Sequence, residues 1–215
     1  MKTTMSRHIH SVRVSGKSFL SRRLNEVEYM GIGQDYGYFE QFDENVAKFY
    51  KYFDFIFYWA YRRVFKLLRE TVKSPARVLE IGPGTGRLAN MVSGLGYHVV
   101  GVDVSLPMVK QARRFWRPDF INGGSWRLPL RGGSFDAAVA VFTMHHWGNN
   151  ELSVVGLRDS LKPDGVFIVA EVDGDRISAH GHSCTVKCIN NTLSPYFTLN
   201  IKKSFPLVLA VAKRR

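Results

Sequence analysis

Cysteine is nearly absent from this 215-residue chain, where only Cys184 and Cys188 occur. Two cysteines cannot staple a secreted scaffold of this size, and the amino terminus lacks the apolar centre of a secretory signal. The chain is therefore read as cytoplasmic, with both thiols reduced. Long apolar runs are missing too. None reaches the roughly 18 residues that a membrane-spanning helix requires. Internal repeats and low-complexity tracts are also lacking, which excludes solenoid and fibrous architectures.

Acidic residues are scarce at both ends. Lys and Arg number 30 against 18 Asp and Glu, giving a net charge of +12. Residues 1–29 contribute +4, from Lys2, Arg7, Arg13, Lys17, Arg22 and Arg23 against Glu26 and Glu28. Residues 201–215 contribute +5 with no acid, which leaves +3 for the long middle. An excess of this kind points to an anionic surface or to nucleic acid as partner, but its confinement to the ends disfavours a dedicated nucleic-acid reader. A hydrophobic content of 45% excludes a disordered chain and is enough to bury one core.

Residues 1–29 read as a basic flexible tail, and three origins are open for it: an organelle-targeting segment, an interaction tail, or leader ahead of a start at Met30. Residues 30–74 read as an aromatic-rich helical cap. From about Phe42 to Lys73 apolar residues recur every three or four positions (Val46, Phe49, Tyr50, Phe53, Phe57, Ala60, Val64, Leu68), which predicts a helix. Tyr52, Phe55 and Trp59 fall on a second face. That face needs its own partner: core, a lid over substrate, a second copy of the chain or a membrane surface, with burial preferred because Asp54 interrupts the apolar run.

After Ser74-Pro75 short apolar runs alternate with helical segments, the pattern of a parallel sheet with crossover helices. Strands are predicted at Arg77–Ile81, His98–Asp103, near Phe120, at Phe135–Phe142 and at Gly165–Val172. Helices are predicted after Gly86, from Ser105 with Pro107 in its first turn, and from Asn150 to Leu161. Tyr196–Ile201 and Pro206–Ala212 lie close enough to pair as an antiparallel hairpin.

The chemistry-bearing stretch is Val78-Leu79-Glu80-Ile81-Gly82-Pro83-Gly84-Thr85-Gly86. A buried strand enters a glycine-rich turn and then a helix, the layout of a nucleotide-type site. The spacing is not the Gly-x-Gly-x-x-Gly of a dinucleotide site, and no Gly-Lys-Ser/Thr ending is present to grip a triphosphate. The alternating form Glu80-x-Gly82-x-Gly84-x-Gly86 resembles the first motif of class I S-adenosylmethionine-dependent methyltransferases. The resemblance continues through Asp103-Val104-Ser105-x-x-Met108, Leu128-Pro129-Leu130 with Ser134-Phe135-Asp136, and Leu161-Lys162-Pro163-Asp164-Gly165. It covers about residues 75–213 and is nearest to the ubiquinone-biosynthesis-like branch.

This resemblance implies an α/β, Rossmann-like methyltransferase domain over 75–215, mostly parallel with a carboxyl-terminal antiparallel hairpin. It implies S-adenosylmethionine as cofactor, S-adenosylhomocysteine as product, and in-line methyl transfer to a small-molecule acceptor. Glu80, Gly82, Pro83, Gly84, Gly86, Asp103, Val104 and Met108 would bind the cofactor, with Glu80 near its methionine amino group and Asp103 on its ribose hydroxyls. Where relatives often have Gly-Asp for the adenine amino group, this chain has Gly123-Gly124, so Ser125 and Trp126 are the expected adenine contacts. Thr143 is assigned to the cofactor, Trp147 with Tyr36 and Tyr38 to the acceptor pocket, and His145 or His146 to a general base.

No metal is expected, although His180, His182, Cys184 and Cys188 gather four ligand types in nine residues, because the spacing lacks Cys-x-x-Cys knuckles. Their segment reads as a short thiol loop between the last parallel strand and the hairpin. Two rival readings stand beside the first: an RNA or protein methyltransferase guided by the basic ends, and a non-catalytic cofactor-binding subunit that stabilises a partner. No Asn-Pro-Pro-Tyr-type segment follows the fourth strand, where Thr143-Met144-His145-His146 stands.

Overall fold

The computed structural model describes residues 42–147, 150–177 and 183–215. The basic tail, Tyr36, Tyr38, His180 and His182 lie outside the described residues.

The amino-terminal helical stripe does not form one helix. Helix α1 (Glu44–Phe53) starts on Asp43, whose side chain accepts the Val46 N–H, and gives way to a 3-10 turn over Asp54–Phe57 before α2 (Tyr58–Thr71) resumes. The break lies at Asp54, a fully buried carboxylate. A buried charge must find donors, and tightening the helix there turns Asp54 toward them. Ala60, Val64 and Leu68 on α2 are completely buried and pack on the sheet. Truncating one of the larger two would cost about 2–5 kcal/mol. The second face corrects the preference for burial: Tyr52 is 65%, Phe55 64% and Trp59 38% exposed.

The remaining elements alternate. They are β1 (Arg77–Ile81), α3 (Arg87–Ser93), β2 (His98–Asp103), α4 (Leu106–Ala112), β3 (Asp119–Asn122), β4 (Phe135–Val141), α5 (Asn150–Ser160), β5 (Leu161–Val172), α6 (Val186–Leu193), β6 (Phe197–Ser204) and β7 (Leu207–Arg214). The sheet order is β3-β2-β1-β4-β5-β7-β6. The strands from β3 to β5 are parallel, and β7 runs antiparallel to both β5 and β6. The architecture is the doubly wound α/β sheet with a carboxyl-terminal antiparallel hairpin that the motif order implied.

Strand alternation sends Val78 to the core beneath α2 and α3, and Leu79 to the core beneath α5 and α6. Asp136, at the start of β4, accepts from the Arg77 N–H at 2.8 Å and from Lys162 Nζ at 2.6 Å, tying the starts of β1, β4 and β5 together. Strand β5 begins at Leu161, four residues before the predicted Gly165, because Leu161 already pairs with Phe135 ahead of an irregular register.

The segment before the hairpin differs most from expectation. It carries a helix, α6, whose first turn is capped by the Thr185 hydroxyl accepting from Cys188 N–H at 2.9 Å. Ile189 and Leu193 are fully buried on one face. Cys184 and Cys188 are joined in a disulfide, not reduced. Among the described residues, no cluster of three metal-ligating side chains exists and no helix is long and apolar enough to cross a membrane.

Candidate active site

The sheet order reverses between β1 and β4, and a crevice forms at the carboxyl ends of the strands at such a switch point. The loop from β1 to α3 enters it as a tight glycine turn. Gly82 has φ +69°, and a Cβ there would lie 2.5 Å from Thr143 Cγ2, so only glycine lets this loop pass the end of β4. Thr143 holds the junction from the other side by donating its hydroxyl to the Ile81 carbonyl at 3.2 Å.

Asp103 ends β2 and organises the second wall. Its Oδ2 accepts the Gly84 N–H and its Oδ1 the Ser105 N–H, each at 2.9 Å. The Ser105 hydroxyl caps α4 by accepting from Met108 N–H and donates to the Phe42 carbonyl at 2.7 Å. Burial raises the Asp103 carboxyl, while the two backbone donors pull the other way.

The cavity here is lined by Glu80, Gly82, Pro83 and Gly84 from the first loop, and by Asp103, Val104 and Met108 from the second. Ser125 and Trp126 follow, with Thr143, His146 and Trp147 after β4. Gly86 and His145 do not line it. Gly86 is the N-cap of α3, packed where a Cβ would come 2.7 Å from the Phe120 ring. His145 turns its Nδ1 to Glu171 Oε2 at 2.7 Å. Glu171 is itself fully buried, and its other oxygen accepts the Thr143 and Met144 N–H groups at 3.1 and 2.7 Å. The two histidines are thus unequal: their rings lie 3.8 Å apart, but only His146 reaches the cavity.

Ser125 gives its hydroxyl to a mutual hydrogen bond with Ser153 at 2.9 Å. Trp126 sits over Gly124, where a Cβ would approach its ring to 2.5 Å. Indole and glycine therefore occupy the space that a residue with a side chain at position 124 would use.

Several lining groups were not legible in the sequence. Phe42, Tyr50 and Tyr61 come from the amino-terminal helical segment, and Phe142, with φ +55°, closes β4. Phe142 packs against Phe57 at 5.4 Å. Asp54 lies behind them and accepts from the Thr85 hydroxyl, from Arg87 Nε at 2.5 Å and from the Tyr61 hydroxyl at 3.0 Å. The signal was present: a lone acid in an apolar helical run is a buried charge that needs partners.

The electrostatics follow from this crowding. Glu80 is 3% exposed, and its Oε2 has no hydrogen-bond partner among the described residues. Burial, Asp103 and Asp54 push its carboxyl up to about 8, the Ala89 amide opposing them. Burial and the neighbouring carboxylates also raise Tyr50, and burial, Tyr50 and Asp54 raise Tyr61. The Trp147 indole N–H is likewise buried and unpartnered among the described residues. The site is short of positive charge near Glu80 and offers an unused donor at Trp147.

Residues 79–169 match the methyltransferase domain family. Over 97 residues the chain is 35% identical to a demethylmenaquinone methyltransferase of Renibacterium salmoninarum, covering 44% of this chain and 40% of that protein. Among solved structures it is similar to a TehB-like S-adenosylmethionine-dependent methyltransferase from Corynebacterium glutamicum, with TM-score 0.67 and 15% identity over 80% of this chain and 100% of that one. It is also similar to the 1,6-didemethyltoxoflavin-N1-methyltransferase of Burkholderia thailandensis, solved with 1,6-didemethyltoxoflavin and S-adenosylhomocysteine bound. There the TM-score is 0.59 and the identity 20%, covering 72% of this chain and 78% of that one. At these identities the structural likeness is one of fold.

Over residues 79–169 the chain is similar to the methyltransferase domain family, and its fold is that of S-adenosylmethionine-dependent methyltransferases of solved structure. It spans less than half the length of the demethylmenaquinone methyltransferases it matches, 40% and 48% in two of them. The residues present fit S-adenosylmethionine as its cofactor. The orphaned Glu80 oxygen and the raised Glu80 carboxyl suit a cationic ligand, and the Asp103 carboxylate retains lone pairs for a diol beyond its two backbone donors.

Proposed function

We propose that this protein transfers a methyl group from S-adenosylmethionine to a small-molecule acceptor, and that Glu80, Gly82, Gly84 and Asp103 hold the cofactor. The observation that carries this reading is the buried Glu80 carboxylate, unpartnered at Oε2 beside a glycine loop tied to Asp103. When bound, the cofactor supplies a methyl group already made electrophilic by its sulfonium. The chain's own residues orient the two molecules and exclude water. Trp126 offers an apolar plate for the adenine in place of an aspartate at position 124. Pro83, Val104, Met108, Ser125 and Thr143 complete the cofactor's surroundings.

Aromatic walls from Phe42, Tyr50, Phe142 and Trp147 favour a planar, largely apolar acceptor. An acceptor oxygen would satisfy the Trp147 N–H. Because relatives are named demethylmenaquinone methyltransferases, a demethylmenaquinone-like compound is the first acceptor to test. His146 is the candidate base, since it lines the cavity, while His145 is tied to Glu171, which also holds the Thr143 and Met144 N–H groups.

The test is a thermal-shift series with S-adenosylmethionine, S-adenosylhomocysteine and NAD on the wild-type chain and on Asp103→Ala. A ligand at about 100 times its Kd stabilises by about 2.7 kcal/mol, a rise in Tm of roughly 5–10 °C for a chain this size. A shift with the two sulfur compounds alone, lost in Asp103→Ala, supports the reading, and methyl transfer is then assayed with candidate acceptors. A cooperative melt with no shift overturns it.

A further inference from the structure

The outward face of the amino-terminal helical segment combines two features. Phe55, Ile56 and Trp59 are exposed at 64%, 48% and 38%, and Phe205, at the tip of the β6–β7 hairpin, at 56%. Arg63 joins them: its guanidinium lies 5.5 Å from the Trp59 ring centroid and donates to the carbonyls of Ser204 and Phe205 at 2.9 and 3.4 Å. Arg176 lies over the Phe205 ring at 4.9 Å. Apolar rings and cations therefore form one surface across two elements.

Beside it, Arg63, Lys66 and Lys202 line a groove between α2 and the hairpin, with Glu70 as the one acid in its lining. Lys66 meets Glu70 at a long 3.9 Å, while Lys203 spends its charge on Asp175 at 2.7 Å. Arg62 is exposed as well. The groove is thus cationic, and its cations flank side chains of the kind that sit at the level of lipid headgroups, apolar in body and aromatic.

We propose that this face docks on an anionic phospholipid surface, with Phe55, Ile56, Trp59 and Phe205 entering the headgroup region and Arg63, Lys66 and Lys202 meeting lipid phosphates. Charge decides among the occupants. A second copy of the chain would set one cationic groove against another. The chain's own residues 1–29 carry +4 and are repelled in the same way. An anionic surface is attracted by the groove and by both basic ends, and it also receives the apolar rings. The same segment gives Tyr50 and Tyr61 to the cavity, so docking would bring the site's helical wall to the membrane.

The test is sedimentation of the full chain with vesicles of phosphatidylcholine alone or mixed with phosphatidylglycerol. Binding is expected to the mixed vesicles and to fall with added salt. Phe55→Ser/Trp59→Ser is expected to weaken it about tenfold. Lys66→Glu/Lys202→Glu is expected to abolish the preference for the anionic lipid. Both double variants are expected to keep the wild-type Tm and cofactor affinity, which separates failure of docking from failure of the methyltransferase reading. Vesicle binding that both variants retain, but that deletion of residues 1–29 removes, would overturn the proposal. So would variants that leave vesicle binding intact and instead change the oligomeric state or the binding of an RNA oligonucleotide.

Discussion

Asp54 Oδ2 accepts the Nε–H of Arg87 at 2.5 Å, and so fastens the break in the amino-terminal helix to the first residue of α3. The Thr85 hydroxyl donates to the same oxygen, and the Tyr61 hydroxyl to its partner oxygen. Thr85 and Arg87 flank Gly86 in the glycine loop. The helical segment over the cavity and the loop beneath it are therefore one hydrogen-bonded unit around a buried charge.

Removing that charge is expected to loosen both parts. Asp54→Ala leaves Thr85, Tyr61 and the half-buried Arg87 without their acceptor, at a cost of about 2–3 kcal/mol, or a fall in Tm of roughly 5–10 °C. Cofactor affinity is expected to fall with it, and Asp54→Asn to lose less of both. Calorimetry on the two variants checks this; unchanged affinity in Asp54→Ala would show that the loop holds its shape without the helices.

Glu80 makes stability depend on pH. Its carboxyl is raised from 4.5 in the free residue to about 8 by burial, Asp103 and Asp54. The folded protein then binds a proton more tightly than the unfolded chain. The stabilising contribution is complete below about pH 4.5 and is lost as pH rises through about 8. Melting curves without ligand should therefore decline between pH 5.5 and 8.5 more steeply for wild type than for Glu80→Gln. A bound cation relieves the cost of the ionised form, so Glu80→Gln should bind S-adenosylmethionine more weakly while melting higher alone at pH 8.5. Parallel pH profiles in the two proteins would count against this placement of charge.

Asp103 and the histidines separate binding from chemistry. Asp103→Ala removes an acceptor that orders the Gly84 and Ser105 N–H groups, and a loss of about tenfold to a hundredfold in cofactor affinity is expected, from one or two charge-assisted hydrogen bonds. His146→Ala should leave that affinity near wild type and act on turnover. His145→Ala should also lower Tm, because it strips a partner from fully buried Glu171. Isothermal titration distinguishes them, and cofactor binding lost in His146→Ala but kept in Asp103→Ala would contradict the assignment.

Gly124 and Trp126 should behave as a pair. Gly124→Asp forces the indole out of its present position, since even a Cβ would approach its ring to 2.5 Å. A loss of about tenfold in cofactor affinity is expected for the single change. In Gly124→Asp/Trp126→Ala the new carboxylate has room, and affinity should partly recover. A double-mutant cycle measures this coupling; additive effects would show that the two positions do not share the space.

Much of the sheet could be read in advance because its signals are local. β1, β2 and β4 are short apolar runs, and Ser105 caps α4 through its own hydroxyl. Where reading failed, the deciding partner was distant in sequence. Asp54 breaks a helix for donors at positions 85 and 87, and Glu171 claims His145 from the neighbouring strand β5, 26 residues on. Helix α6 was overlooked although Thr185 caps it and Ile189 and Leu193 share a face, because its eight residues give a short periodic signal.

The sequence by itself determined the order of the elements, the glycine loop between β1 and α3, and the acid at the end of β2. Each depends on residues a few positions apart, through backbone sterics and apolar periodicity. Only the tertiary structure decided which of two adjacent histidines faces the cavity, what the lone acid in the aromatic helix does, and which aromatic face stays in water. Those outcomes rest on the high cost of burying a charge or donor without a partner, and the partners come together only when the chain has folded.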